Sequence, residues 1–170
     1  MGLRPDFRLA LLGVLSVVAF VLPATLVWLG YFLGLVTDLQ LRPKADRLFA
    51  LLATAAIYAG AAWALQVALP LYLWRLLVGL AALAAVNAGI NFVYRISGHA
   101  CASAAFVGYF ATMAWASAAL VWLPPLVGAI LATGLASWAR LSLGAHQTGQ
   151  VIWGSGLGLL AGVAVGLWSL

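Results

Sequence analysis

The sequence predicts an all-α protein: a polytopic membrane bundle of six transmembrane helices, one domain over residues 1–170. Of the 170 residues, 66% are hydrophobic and 6% charged, and the mean hydropathy is +1.15; a soluble domain carries about 25% charged residues. Residues other than Asp, Lys, Arg and His run unbroken over 9–37, 48–74, 76–94, 100–139 and 147–170, and a crossing needs about 20 apolar residues. The run 100–139 is long enough for two crossings, and Pro124-Pro125 divides it, because proline lacks an amide donor and restricts the residue before it.

The six spans are expected at 9–36, 48–69, 71–94, 99–122, 124–143 and 148–169. Arg4 and Arg8 give the first span the flank of a signal sequence, but its apolar run exceeds the roughly 7–15 residues of such a region, so a retained span is expected. Pro23 lies inside it with no turn signal around it, which predicts a kink rather than an end. Gln66, alone in its span, reads as a packing contact. Cys101 reads as a small core residue, since no partner makes it a metal ligand or a disulfide.

Short loops make the six spans alternate in direction, so the loops after spans one, three and five share one face. They carry Asp38, Arg42, Lys44, Asp46 and Arg47, then Arg95, Ser97 and His99, then Arg140 and His146. Both histidines and five of the eight basic residues thus meet on one surface. The opposite face receives tight connections at Pro70 and Pro124-Pro125 with Trp74, Trp122 and Trp168 at interfacial depth. With three bases on each side once Arg95 and Arg140 are set aside, the positive-inside rule gives no sidedness.

The composition also limits chemistry. Three acids, Asp6, Asp38 and Asp46, with no Glu, leave no paired carboxylates, and two His and one Cys make no metal cage. Neither a metal nor a cofactor is expected, and the scattered net charge of +5 offers no tract for nucleic acid. Arg95-Ile96-Ser97-Gly98-His99 places a cation, a hydroxyl, an amide and an imidazole at the start of a helix, where free N–H groups attract anions. Ser97 also suits an N-cap. Arg140 and His146 would lie about 240° apart on one helix, so both address one ligand only if the chain turns near Gly144. His146 and Gln150, four apart, share a face, and the Gln150 carbonyl can orient the imidazole.

Ser97-Gly98-His99, then Arg140, five residues and His146, resembles the second and third signatures of the type 2 phosphatidic acid phosphatase superfamily, Pro-Ser-Gly-His and Ser-Arg-(five)-His-(three)-Asp. The resemblance covers about residues 94–158, and six spans suit the family. It implies that His146 is the nucleophile forming a phosphohistidine, His99 the acid that protonates the leaving alcohol, and Arg140, Ser97 and the Gly98 amide the holders of the phosphoryl oxygens. The first family signature, Lys-(six)-Arg-Pro, is absent, and Arg95 is its candidate replacement. Short bacterial and archaeal relatives look similar here, with an Asp…Arg loop resembling Thr37-Asp38…Asp46-Arg47, which makes Asp38 and Arg47 candidate auxiliaries. Ile96 replaces the usual Pro, Ala139 the usual Ser, and Gln150 the Asp that pairs with the nucleophile; Asp38 or Asp46 is expected to supply the missing charge.

Gly154, Gly158, Gly162 and Gly166 give the last span a smooth side for close packing, within the chain rather than between subunits. Asn87 and Asn91 serve either interhelical hydrogen bonding or a substrate cavity. The function expected is a metal-independent membrane phosphatase acting on a lipid phosphate or diphosphate, of isoprenoid or glycerolipid type, in a prokaryotic cell membrane with its active face outside the cytoplasm. The alternative is a lipid-phosphate binding or scaffold protein that has lost turnover. A transporter finds little support, because no charged residue lies mid-span.

Overall fold

The computed structural model describes residues 5–170, leaving aside the side chains of residues 5–9 and 12. Arg4 and the Arg8 side chain, expected to flank the first span, lie outside the described residues. Seven α-helices follow in order: α1 (Pro5–Ser16), α2 (Leu22–Phe32), α3 (Lys44–Leu65), α4 (Leu71–Asn91), α5 (Gly98–Ser117), α6 (Leu123–Ser142) and α7 (Thr148–Trp168). Six stretches are long and apolar enough to cross a membrane: Gly13–Phe32, Lys44–Leu65, Leu71–Asn91, Gly98–Ser117, Leu120–Ser142 and Thr148–Trp168. The chain is an all-helical, multi-pass membrane protein.

Pro23 does not simply kink the first span. A π-helical turn, Val17–Val21, joins α1 to α2, and Pro23 occupies the first turn of α2. A proline at 23 has no N–H for the carbonyl four residues before it, that of Ala19, and an unmet carbonyl in hydrocarbon is costly. The Tyr58 hydroxyl of α3 donates to the Ala19 oxygen at 3.3 Å and meets that need. Tyr58→Phe is therefore expected to cost about 1 kcal/mol, read as a lowered Tm in detergent with the helix content unchanged.

Three helix ends, those of α2, α5 and α3, come four or five residues earlier than apolar length predicts. α2 stops at Phe32 rather than near 36, because Gly34 takes a left-handed φ of +72° while Leu35 and Gly34 donate to the carbonyls of Gly30 and Tyr31. That pattern is a Schellman cap. α5 stops at Ser117 rather than near 122; Ala118 is left-handed at φ 50°, and a 3₁₀ turn, Leu120–Trp122, leads into α6. α3 ends at Leu65, so Gln66 is an exposed residue at the helix terminus and not the packing contact expected.

The helices neighbour one another as α2, α3, α4, α7, α5 and α6, with α5 between α6 and α7. One core joins the first span to α3 and α4 through Val18, Ala62, Leu69 and Leu77. The other joins α4, α5 and α7 through Leu80, Leu83, Cys101 and Ala105, with Cys101 the buried core residue expected. The closest seam is α5 on α7. A Cβ at Gly154 would lie 2.7 Å from the Ser97 carbonyl oxygen, and Gly158, Gly162 and Gly166 meet Cys101, Ala105 and Thr112. The glycine stripe is thus consumed within the chain, where small residues let two backbones touch.

At the end of the bundle away from the histidines, Trp74 Nε1 donates to the Ala62 carbonyl at 3.1 Å. Its ring lies 6.0 Å from that of Trp168, Trp122 meets Tyr72 edge-on at 6.0 Å, and Arg75 lies over Trp168 and donates to its carbonyl. The tryptophans form the aromatic end expected of an interfacial belt.

Candidate functional site

Loops 33–43, 92–97 and 143–147 converge at the other end. Lys44 Nζ donates to the Phe92 carbonyl at 3.0 Å and lies 4.8 Å from the centre of the Phe92 ring. The Ser97 N–H donates to the Gln150 carbonyl at 3.0 Å, tying the start of α5 to the first turn of α7.

Gly144 makes the turn that Arg140 and His146 require. Its φ is +61°; Gly144 donates to the Leu141 carbonyl at 3.0 Å, and Ala145 and His146 donate to that of Arg140 at 3.1 and 3.2 Å. This second Schellman cap folds the chain back so that His146 returns over the end of α6. Arg140 Nη2 then reaches across to His99 Nε2 at 2.8 Å. Arginine only donates, so His99 accepts on Nε2 and carries its proton on Nδ1.

His146 Nδ1 lies 3.0 Å from Gln150 Oε1. The same oxygen accepts the Gln147 N–H at 3.2 Å, and the Gln147 side chain in turn receives the N–H of Gln150, a capping box at the start of α7. The box decides which way the Gln150 amide points, since its NH₂ cannot face the Gln147 N–H. His146 therefore donates from Nδ1 and keeps the Nε2 lone pair free. Sequence reasoning found Gln150 but missed Gln147; the signal was the spacing of two glutamines three apart before an apolar run.

Burial holds the His146 pKa below its ordinary value of 6.5, and Arg95, Arg140 and Arg47 lower it further, against the opposing effect of the hydrogen bond that His146 donates to Gln150. The native state therefore favours the neutral ring more than the unfolded chain does. As pH falls below about 6.5 the unfolded chain takes up the proton first, so stability declines with falling pH. Ring ¹⁵N shifts of His146 followed by titration should show a midpoint below 6.5, rising when Arg95 is changed to Gln.

Other candidates have different work. Ser97 is fully buried, with its Oγ accepting the Ala100 N–H at 3.4 Å, so it is an N-cap and its hydroxyl does not face a ligand. The N–H groups of Gly98 and His99, the first two of α5, have no partner within the helix. Asp46 is buried and accepts from the Thr37 N–H, the Thr37 hydroxyl and the Asp38 N–H at 2.8–2.9 Å. Asp38 accepts from the Gln40 and Arg42 amides. Neither aspartate supplies His146 with a charge: both carboxylates, Asp38 in loop 33–43 and Asp46 in the first turn of α3, are held by amides of that loop, and among the described residues no ion pair reaches His146. Arg47 Nε donates to Asn91 Oδ1 at 3.3 Å, and its Nη1 to the Arg42 carbonyl. Asn91 Nδ2 donates to Asn87 Oδ1 at 2.7 Å. The asparagines thus link α4 to α3 rather than standing free in a cavity. Arg95 Nε is buried without a partner.

No family model, curated protein or solved structure matches this chain.

Proposed function

We propose that the chain is an integral membrane phosphatase that removes a phosphoryl group from a lipid phosphate. One observation carries the reading: two imidazoles stand at one end of an apolar bundle, His146 oriented by Gln150 and His99 bonded to Arg140, with Arg95 and Arg47 close by. Phosphoryl transfer asks for positioning and positive charge on the phosphoryl oxygens, and an Arg fork matches those oxygens better than Lys does.

In this reading the phosphate binds Arg140 and the first amides of α5, Arg140 releases His99, and the freed His99 Nε2 takes up a proton from solvent, which makes the ring an imidazolium able to donate. His146 Nε2 attacks phosphorus; the P–N bond forms, the P–O bond to the lipid breaks, and the departing oxygen takes a proton from His99. Water then attacks the phosphohistidine, its proton passes to His99, and the electron pair of the P–N bond returns to Nε2. So little chain lies outside the helices that the substrate is an amphiphile, its headgroup at the interface and its tail among the helices. The active face is extracytoplasmic, which places Leu170 in the cytoplasm.

Phosphate release from a panel of lipid phosphates by the detergent-purified chain is the test, and no release from any of them rejects the reading. A binding or scaffold role is the second reading, favoured by one observation: His146 faces an uncharged amide. Gln150→Asp separates the two. A carboxylate accepts the same bonds and stabilises the charged imidazole, so turnover should rise about tenfold in an enzyme, while binding without turnover in both forms supports the scaffold.

A further inference from the structure

Three side chains form one line from α3 to the head of α5. Arg47 Nε donates to Asn91 Oδ1 at 3.3 Å, and Asn91 Nδ2 donates to Asn87 Oδ1 at 2.7 Å. Asn87 Nδ2 then lies 3.5 Å from the place a Cβ on Gly98 would take. Asn87 and Asn91 are only 3% and 4% exposed, so each of their polar groups is costly unless it is bonded. The direction of every bond in this line is set by its first member. A guanidinium only donates, and that of Arg47 is held twice, since its Nη1 also donates to the Arg42 carbonyl. Asn91 must therefore turn its oxygen to Arg47 and its amine to Asn87, whose main-chain carbonyl the same amine meets at 3.0 Å. Asn87 must in turn give its oxygen to Asn91. Its own amine is left facing Gly98, because the flipped amide would set two amines against each other.

The link between α3 and α4 thus uses every side-chain group of the asparagine pair but one. Among the described residues Asn87 Nδ2 has no acceptor. Nor is it sealed: of the described side-chain nitrogens and oxygens, Arg95 Nε alone is both closed to solvent and unpartnered, so a molecule the size of water reaches the Asn87 amine. Cα–Cβ bonds of a helix tilt towards its N-terminus. A group beside the Gly98 Cβ position therefore stands on the side of the Gly98 and His99 amides, which have no partner within the helix. One buried, directed donor joins two free ones.

Resting on the phosphatase reading above, we propose that Asn87 is a phosphoryl-binding residue: its Nδ2 joins the Gly98 and His99 amides in donating to a phosphoryl oxygen, and Arg47 and Asn91 are the positioning residues that point it there. The group recognised is a phosphoryl oxygen, carried by a lipid headgroup or by free phosphate. Asn87 makes and breaks no covalent bond. It adds a donor without adding a cation, and the guanidinium that directs it stays outside the contact.

The test uses the full chain in detergent, with inorganic phosphate as probe and a lipid phosphate as substrate. Asn91→Asp keeps the line but reverses it: a carboxylate accepts from Arg47 and from the Asn87 amine, so the Asn87 oxygen turns to Gly98. These charge-assisted bonds should leave the Tm no lower than that of the wild type. The affinity for inorganic phosphate, read as inhibition of turnover or as a rise in Tm, should fall about tenfold or more. Asn87→Asp reaches the same end directly, one oxygen keeping the bond from Asn91 and the other replacing the donor. Lys44→Gln removes the same unit of charge from an exposed position at this end, leaves the asparagines alone and should change the affinity less than about threefold. A pair that only joins helices predicts full affinity in Asn91→Asp. That result overturns the proposal and leaves the phosphatase reading in place, and so does an equal loss in Lys44→Gln. If the wild type releases nothing from the lipid phosphate but is stabilised by inorganic phosphate, and Asn91→Asp is not, the phosphatase reading falls and the site stands. A wild type that inorganic phosphate neither inhibits nor stabilises overturns the site.

Discussion

His146→Ala is expected to lower phosphate release from a lipid phosphate by about 10⁴-fold or more, the scale on which a lost nucleophile is felt in enzymes whose catalytic groups act as a unit. The other imidazole of the chain, His99, cannot replace it, because in the proposed reaction His99 carries the proton to and from the oxygens. The orientation of His146 comes from the capping box of α7, in which Gln150 Oε1 serves both the His146 ring and the Gln147 N–H. The loss should fall on kcat, with the Tm nearly unchanged, since His146 is only half-buried. A brief reaction with ³²P-labelled substrate should leave acid-labile, base-stable label on the wild type and none on His146→Ala. His99→Ala should keep the label but slow its formation and its hydrolysis. Unchanged release in both variants would remove the assigned roles.

Gly158→Val is expected to have the largest effect on the fold. A Cβ at Gly158 meets the Cys101 carbonyl, a backbone atom that cannot swing aside. Overpacking ordinarily costs about 1–3 kcal/mol, and this substitution belongs at the upper end or beyond it because the whole of α5 must move. The seam also sets the distance between the two patches: Ser97, at the head of α5, bonds to the Gln150 carbonyl and packs on Gly154. Activity should therefore fall together with the Tm. Gly156→Ala is the control, since a Cβ there meets nothing within 4 Å and alanine is the better helix former. A Gly158→Val protein that melts like the wild type would show that the seam does not hold the bundle together.

Much of this is legible in local chemistry. The number of crossings follows from apolar length, the break at Pro124-Pro125 from a missing amide donor, and the turn that returns His146 over Arg140 from a glycine able to adopt a positive φ. The bond from His146 to Gln150 follows from a spacing of four on one helix. Parity alone assigns the two histidines and five bases to one face, because a helix of fixed rise must emerge on the far side of the membrane.

Tertiary structure decided the partners. That Arg140 meets His99, that Asp46 is taken up by Thr37 and Asp38, that Arg47 bonds to Asn91, and that Tyr58 serves the Ala19 carbonyl all depend on how each helix is rotated about its axis and which neighbour it meets. In a soluble helix an apolar stripe reports that rotation. Here the helices are apolar nearly all round, so the sequence carries little trace of it, and contacts between residues distant in the chain are settled only when the glycine seam of α7 closes on α5.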